Sequence, residues 1–329
     1  VRIAIDAMGG DHAPESIVQG ALAAAAEWPD TELMLVGDRA AIEPLLADGK
    51  PGNVTVRHAD ETIGPEEEPV KAVRRKKNSS MVIAGQLVRD GEADAMMSAG
   101  NTGALMTTGL LVVGRLAGIE RPALAFTLPT MDDKGVLALD LGANMDAKPE
   151  HLLQYAILGS IYRSKVNGIG KPRVGLLNVG TEERKGNETA KAAFDLLKDA
   201  PIHFIGNVEA RDVLTGQCDV LVCDGFAGNI LLKSMEGTAG AIFAALKEAF
   251  GRSLLTKLAA AVMMPGLRRM KGKLDYKEHG GAPLLGLNGL VVKCHGSSDA
   301  RAIKNAVRQA RTALQERLTE TISMEISGK

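Results

Sequence analysis

Aromatic residues are scarce in this chain of 329 residues, only 3% of the total, which leaves little material for base-stacking surfaces. An excess of charge is missing too. Lys and Arg number 39 against 40 Asp and Glu, a formal net charge of -1, so the bulk attraction a general nucleic-acid binder relies on is absent. Cysteine is limited to Cys218, Cys223 and Cys294, an odd and scattered set that draws neither a disulfide framework nor a zinc spacing. Such usage suits a reducing cytoplasm. Long apolar runs are lacking as well. The uncharged stretch Asn101 to Gly114 falls short of the ~20 residues a spanning helix needs, and Arg115 ends it. The opening Val1-Arg2-Ile3-Ala4-Ile5-Asp6 reads as a strand and has no signal-peptide layout. The expectation is a soluble protein, attached at most to a membrane surface.

Three reaction signatures are missing. No Gly-Lys-Ser or Gly-Lys-Thr follows a glycine loop, so there is no Walker motif. No G-x-G-x-x-G follows a strand, which removes the standard dinucleotide fingerprint. A G-x-S-x-G nucleophile elbow is absent too.

Glycine, by contrast, is plentiful: 37 residues, about 11% against a usual ~7%. Without a collagen-like period, that means many tight turns or close approaches of backbone to ligand. Hydrophobic residues at 45% and charged residues at 24% are ordinary globular values. The length suits two domains or one two-lobed unit, and with no repeat or linker the reading is a single two-lobed α/β unit over 1–329.

Strands are expected at Arg2–Asp6, Glu32–Val36, Asn53–His58, Ala93–Met97, Ala123–Thr127, Val136–Asp140, Arg173–Leu177, Ile202–Gly206, Asp219–Cys223 and Leu290–Cys294. Several are continuous apolar runs, as in strands buried on both faces. Helical spacing is clearest over 228–250 (Met235, Ala239, Ile242, Leu246, Phe250) and from Asp299 (Ile303, Val307, Ala310, Leu314, Leu318), with Ser297 or Ser298 as cap. The alternation predicts a mainly parallel sheet flanked by helices. Residues 251–276 break it. They read as a projecting helical pair turning at Pro265-Gly266.

The chemistry gathers after the strands: Asp6 to His12, Ser98 to Gly103, Asp140 to Asn144, Asn178 to Asn187, Gly206 to Glu209, Asp224 to Asn229, and His295 to Ser298. Carboxyl ends of parallel strands point one way, so these loops are expected on one rim. Each pairs glycine with a hydrogen-bonding side chain, and helices starting at Asn101, Gly228 and Asp299 would aim positive dipole ends at the same cleft. Each loop alone is also explained as a turn with an N-cap. Together they describe an anion or nucleotide site. Asp6, Asp11 and His12 more commonly stabilise a glycine turn than bind metal, and no metal site is expected. His295 is either structural or catalytic, and Cys223 among Leu221 and Val222 reads as a buried thiol. Glu66, Glu67 and Glu68 precede a helix that ends in Arg74, Arg75, Lys76 and Lys77, which complements the macrodipole; a docking patch is the alternative.

Long motifs in order make the chain recognisable. Asp6-Ala-Met-Gly-Gly-Asp-His-Ala-Pro14, Pro69 to Ser80, Ser98-Ala-Gly-Asn-Thr-Gly-Ala-Leu-Met106, Gly142-Ala-Asn144 with Lys148-Pro149, Leu177-Asn-Val-Gly-Thr-Glu182, Asp224-Gly-Phe226 with Gly228-Asn229, and His295-Gly-Ser-Ser298 resemble the bacterial phosphate acyltransferases, the PlsX family. The resemblance runs from Arg2 to about Leu318. It implies transfer of a fatty acyl group from acyl carrier protein to inorganic phosphate, giving acyl phosphate for a membrane glycerol 3-phosphate acyltransferase in phospholipid synthesis. It also implies a homodimer without redox cofactor, and a fold similar to isocitrate and isopropylmalate dehydrogenases and phosphotransacetylases.

On that resemblance the reacting centre is expected at Lys185, His295, Asn229 and Asp224. Lys185 would neutralise charge, and His295 would protonate the leaving thiolate or orient phosphate. Phosphate is expected at Ser98, Asn101, Thr102, Gly103, Asn178, Thr181, Asn187, Ser297 and Ser298. Carrier docking is assigned to Arg74, Arg75, Lys76 and Lys77. Membrane contact is assigned to Leu258, Val262, Met263, Met264 and Leu267, with Arg268, Arg269, Lys271 and Lys273 behind them as a basic collar. Packing of this apolar segment on a partner subunit is the alternative.

Overall fold

The computed structural model describes residues 1–47, 49–274 and 280–327. β1 (Arg2–Asp6), β2 (Glu32–Gly37), β3 (Val54–His58), β4 (Ala95–Ser98) and β5 (Ala123–Leu124) begin one sheet. The chain then crosses at Ala125 into a second sheet of β6 (Phe126–Leu128), β7 (Val136–Leu139), β8 (Arg173–Asn178), β9 (His203–Glu209) and β10 (Val220–Val222). Finally β11 (Ala282–Leu285) and β12 (Leu290–Lys293) return to the first. The orders are β3-β2-β1-β4-β12-β11-β5 and β6-β7-β10-β8-β9. Pairing is parallel except for β11 against both neighbours and β6 against β7. The strand expectations therefore hold for an α/β fold, but they divide between two sheets and two rims rather than one.

Helices cover both sheets: α1 (Glu15–Glu27), α2 (Arg39–Ile42), α3 (Pro69–Arg75), α4 (Ser80–Arg89), α5 (Thr102–Thr108), α6 (Pro149–Asn167), α7 (Glu188–Lys198), α8 (Gly225–Gly251), α9 (Leu254–Leu274), α10 (Ala300–Gln315) and α11 (Leu318–Ser327). The apolar stripe of α10 (Ile303, Ala306, Val307, Ala310, Ala313) is buried against α1. Gly20 makes the approach close, since a Cβ there would lie 2.6 Å from that of Ile303. A 2.7 Å hydrogen bond from Gln309 to the Tyr162 hydroxyl joins α10 to α6 beside the second sheet.

Four local expectations are corrected. The single strand Ala123–Thr127 is two short ones in different sheets, with the Ala125 N–H donating to Pro283 between them at 2.9 Å. β11 was not foreseen, because Pro283 inside it argues against a strand. Asp299, accepting from the Ala302 N–H, caps α10 in place of Ser297 or Ser298, and the helix stops before Arg317 at φ +52°. The helical pair turns at Arg252-Ser253, not at Pro265-Gly266; Pro265 lies inside α9. Ser253 and Thr256 cap α9 reciprocally, each side-chain oxygen accepting the other's backbone N–H at 3.1 and 3.0 Å.

Candidate functional site

On the first rim β1, β4 and β12 lie side by side, and their register places Asp6, Ser98 and Lys293 in one row. All three are buried. The Ser98 hydroxyl donates to Asp6 Oδ2 at 2.6 Å and accepts from the Gly100 N–H at 2.9 Å. Burial pushes the Asp6 carboxyl up, while the Ser98 hydroxyl, the Met8 N–H and the Lys293 charge pull the other way. Burial likewise lowers Lys293, opposed by the charges of Asp6 and Asp11. Its ammonium donates to the Cys294 carbonyl. The Asp11 N–H bonds to Gly296 at 2.8 Å, so the first glycine loop closes onto the last. Gly10 holds that turn at φ +110°, where a side chain would be strained.

His295 follows directly. Its Nδ1 accepts from the Ser297 N–H at 3.2 Å and lies 2.9 Å from the Ser297 hydroxyl. In the neutral ring the proton then sits on Nε2. Ser298 is buried behind it. Asn101 is occupied structurally: Oδ1 caps α5 through Ala104, and Nδ2 donates to the carbonyls of Gly64, Pro65 and Glu67. Thr102 is exposed, and Gly103 packs on α3, where a Cβ would fall 2.5 Å from Pro69.

The second rim is organised by Asp140, fully buried, which accepts from the N–H groups of Ala143 and Asn144 and from the Asn144 amide at 2.6–3.0 Å. Burial raises its carboxyl and these donors oppose the rise. The turn seats the first residues of α8: a Cβ on Gly228 would be 2.0 Å from the Asp140 carbonyl, and Asn229 lies beside Gly142. Asp224 caps α8 through Ala227, so this helix starts three residues before the expected Gly228. Burial pushes the Cys223 thiol well up, which removes it as a nucleophile.

Further along, Asn178 bonds to the Lys185 carbonyl and to Asn207, and Asn187 caps α7. Thr181 is exposed, and Lys185 stands half in solvent with its ammonium 3.8 Å from Glu182. Asn101, Asn178 and Asn187 among the expected site residues also hold helices and loops in place. The sequence reading overlooked Lys293. Its signal was a lone cation in the apolar run Leu290-Val-Val-Lys293-Cys. Among the described residues no three His, Cys, Asp or Glu side chains group closely enough for a metal ion.

Away from the rims, Arg74, Arg75 and Lys77 are exposed on and after α3, whereas Lys76 bonds to Glu67 at 2.7 Å. Glu68 caps α3, as the charge order suggested. Beyond Leu232 no residue of α8 is buried, and α8 and α9 pack on each other. Leu258, Val262, Met263 and Met264 are exposed on the first half of α9, Leu267 is half-buried, and the side chains of Arg268, Arg269, Lys271 and Lys273 lie outside the described residues. No described helix is long and apolar enough to cross a membrane.

The fold is that of the phosphotransacetylases. The chain superposes on a phosphotransacetylase from Streptococcus pyogenes with a TM-score of 0.63 at 17% identity, over 96% of this chain and 94% of that one. A branched-chain phosphotransacylase from Enterococcus faecalis V583 gives 0.56 at 14% (95% and 99%). A 4-hydroxythreonine-4-phosphate dehydrogenase from Klebsiella pneumoniae gives 0.52 at 13% (98% and 99%). The sequence is more specific. Residues 1–321 match the family described as "Fatty acid synthesis protein". The chain is 58% identical over 326 residues to the phosphate acyltransferase of Geobacillus thermodenitrificans, covering 99% of each, and 57% identical to that of Brevibacillus brevis, covering 99% and 97%. It belongs to the phosphate acyltransferase family and is an acyltransferase.

Proposed function

We propose that the chain transfers a fatty acyl group from acyl carrier protein to inorganic phosphate, releasing the carrier thiol and acyl phosphate for a membrane glycerol 3-phosphate acyltransferase. Near-full-length identity of 57–58% to phosphate acyltransferases carries this reading. The chemistry makes modest demands. A phosphate oxygen attacks the thioester carbon, the C–S bond breaks, and the sulfur leaves as a thiolate whose conjugate acid has a pKa near ~8.5. Holding phosphate against the acyl carbon contributes up to about 7–11 kcal/mol, and one oxyanion donor about 3–4.

The two sheets act as one catalytic unit in this proposal. His295, its Nδ1 held by Ser297, presents Nε2–H to the departing sulfur and stabilises the thiolate with a hydrogen bond, and the thiolate then takes its proton from water. Asn229 and Lys185 on the second rim supply a hydrogen bond and a positive charge, and the loops at Ser98 to Gly103 and Thr181 hold phosphate. Asp224, Asn101, Asn178 and Asn187 act by fixing those loops, as their hydrogen bonds support. Arg74, Arg75 and Lys77 steer the acidic carrier. The exposed apolar side of α9 meets the cytoplasmic membrane surface of a peripherally attached homodimer.

The test is to mix purified protein and phosphate with acylated carrier protein or acyl-CoA and trap acyl phosphate with hydroxylamine. Product from the carrier donor is expected. Product from CoA alone would select a phosphotransacetylase, the reading that the fold likeness favours. No product from either would leave a docking protein.

A further inference from the structure

Three strand-end loops of the first rim meet backbone to backbone. A Cβ on Gly9 would lie 2.7 Å from the Gly100 nitrogen and 2.6 Å from the Asp6 carboxylate. One on Gly10 would lie 2.9 Å from the Ala99 Cβ and 3.1 Å from the Gly296 carbonyl oxygen. The Cys294 N–H, just before His295, donates to the Ser98 carbonyl at 2.9 Å. The loops after β1, β4 and β12 are therefore locked together, and whatever fixes their strand ends fixes all three.

Beneath them runs the row Asp6, Ser98, Lys293, with Ser98 in the middle. A carboxylate only accepts and an ammonium only donates, so the two ends set the direction of the hydrogen bonds. With Asp6 ionised, the Ser98 proton must point to Oδ2, and the hydroxyl is left to accept from the Gly100 N–H. That short-range bond closes the turn from which the 98–103 loop departs. A protonated Asp6 would donate to Ser98 instead and displace the serine proton. Burial favours the protonated form, and the groups opposing it are the Ser80 and Ser98 hydroxyls, the Met8 N–H and the Lys293 charge. Facing Lys293 in turn are Asp6 and Asp11.

We propose that Lys293 is a positioning residue for phosphate: through Asp6 and Ser98 its ammonium holds the 98–103 loop in the shape that receives the anion. The proposal rests on the assignment of phosphate to that loop in the acyl-transfer reading above. It deepens that reading by naming the buried cation that controls the loop. Lys293 is only 7% exposed, and its ammonium donates to the Cys294 carbonyl. It therefore acts through its neighbours and does not clamp phosphate itself.

The experiment measures KM for phosphate and for the acylated carrier protein in Lys293→Met, Ser98→Ala and the two combined. A hydrogen bond to a charged group is worth about tenfold or more in affinity, so each single variant should raise the phosphate KM at least about tenfold. The donor KM should stay nearly unchanged. Because Lys293 works through Ser98, the combined variant should be little worse than either single one. Asp6→Asn/Lys293→Met should regain stability yet keep the raised phosphate KM, since an amide donates as well as accepts and no longer fixes the serine proton. This variant carries the test if Lys293→Met alone does not fold. Recovery of the phosphate KM together with the melting temperature would make Lys293 a structural ion and overturn the proposal. Multiplicative losses in Lys293→Met/Ser98→Ala would also overturn it, as would a loss confined to kcat, which would assign the lysine to His295. The melting temperature read with and without inorganic phosphate keeps the two readings apart. Wild type that makes no acyl phosphate, but gains a phosphate-dependent rise that Asp6→Asn/Lys293→Met lacks, would sink the acyl-transfer reading and leave the positioning role standing.

Discussion

In the first sheet Arg2 opens β1 and reaches Asp94, just before β4; in the second, Arg173 opens β8 and reaches Asp219, just before β10. The Arg N–H donates to the Asp carboxylate at 2.8 Å in both, the Asp N–H returns a bond to the Arg carbonyl at 2.8 and 2.9 Å, and the guanidinium closes the pair. At the carboxyl ends the sheets part company. Asp6 looks onto a hydroxyl and a buried ammonium, Asp140 onto N–H groups alone. Strand starts away from the cleft need only be fastened, and one device serves twice. Strand ends that border chemistry are individual.

The pairs also differ in pH response. Burial by itself would raise Asp94 and Asp219, but the hydrogen bonds and charge of their arginines outweigh it and hold both below the usual carboxylate range. Their stabilisation is present above the unfolded value and lost as pH falls through the depressed folded values. Asp6 and Asp140 are shifted up. Their contribution is fullest in acid and declines as pH rises through the raised folded values.

The largest effect is expected from Lys293→Met, which strands the buried Asp6 without its neighbouring cation. A stability loss of about 3 kcal/mol by urea titration is expected, with at least half recovered in Asp6→Asn/Lys293→Met. A loss below about 1 kcal/mol would erase the contrast between the two carboxyl ends. His295→Ala should lower kcat about 100-fold, some 2.7 kcal/mol, with a nearly unchanged melting temperature. If both rims serve one reacting centre, adding Asn229→Ala should cost less than the product of the two single losses. Strictly multiplicative losses would separate the rims.

Asp219→Ala should cost about 2 kcal/mol, because its carboxylate is only 10% exposed, and should flatten the acid limb of stability below about pH 4. Asp94→Ala should cost about 0.5–1 kcal/mol, its half-solvated pair being screened. Equal costs would show that burial does not distinguish the two fasteners.

Much of this was legible in the residues. The apolar runs Val220-Leu-Val222 and Val136-Leu-Ala-Leu139 announced strands that are fully buried, and glycine with a polar partner marked most of the strand-end loops. The division into two sheets was not legible. Pairing is a long-range matter, and nothing local at Ala125 says that Leu124 and Phe126 belong to different sheets. Pro283 hid β11 and Pro265 suggested a turn, since both are judged by a rule about isolated elements that tertiary packing overrides. Caps and ligands look alike in the sequence because Asn101, Asn187 and Asp224 offer the same kind of oxygen to a backbone N–H as to a substrate. Lys293 escaped because the expected strand ran on to Cys294, which put the lysine inside the strand, whereas β12 ends at Lys293 and brings it to the rim.

The return of β12 to the middle of the first sheet has a consequence for how the molecule is born. Ser98 and Leu290 are 192 residues apart in the sequence, yet β12 lies directly against β4. At ~5–20 residues per second, a nascent chain waits roughly 10–40 s between emergence of the two strands. Throughout that interval β4 is an unpaired edge, inviting strands from neighbouring chains, and Asp6 and Ser98 sit at a half-built rim without their cation. The ribosome therefore delivers the second sheet complete before the first can close, and the residues that finish the first rim arrive only after it.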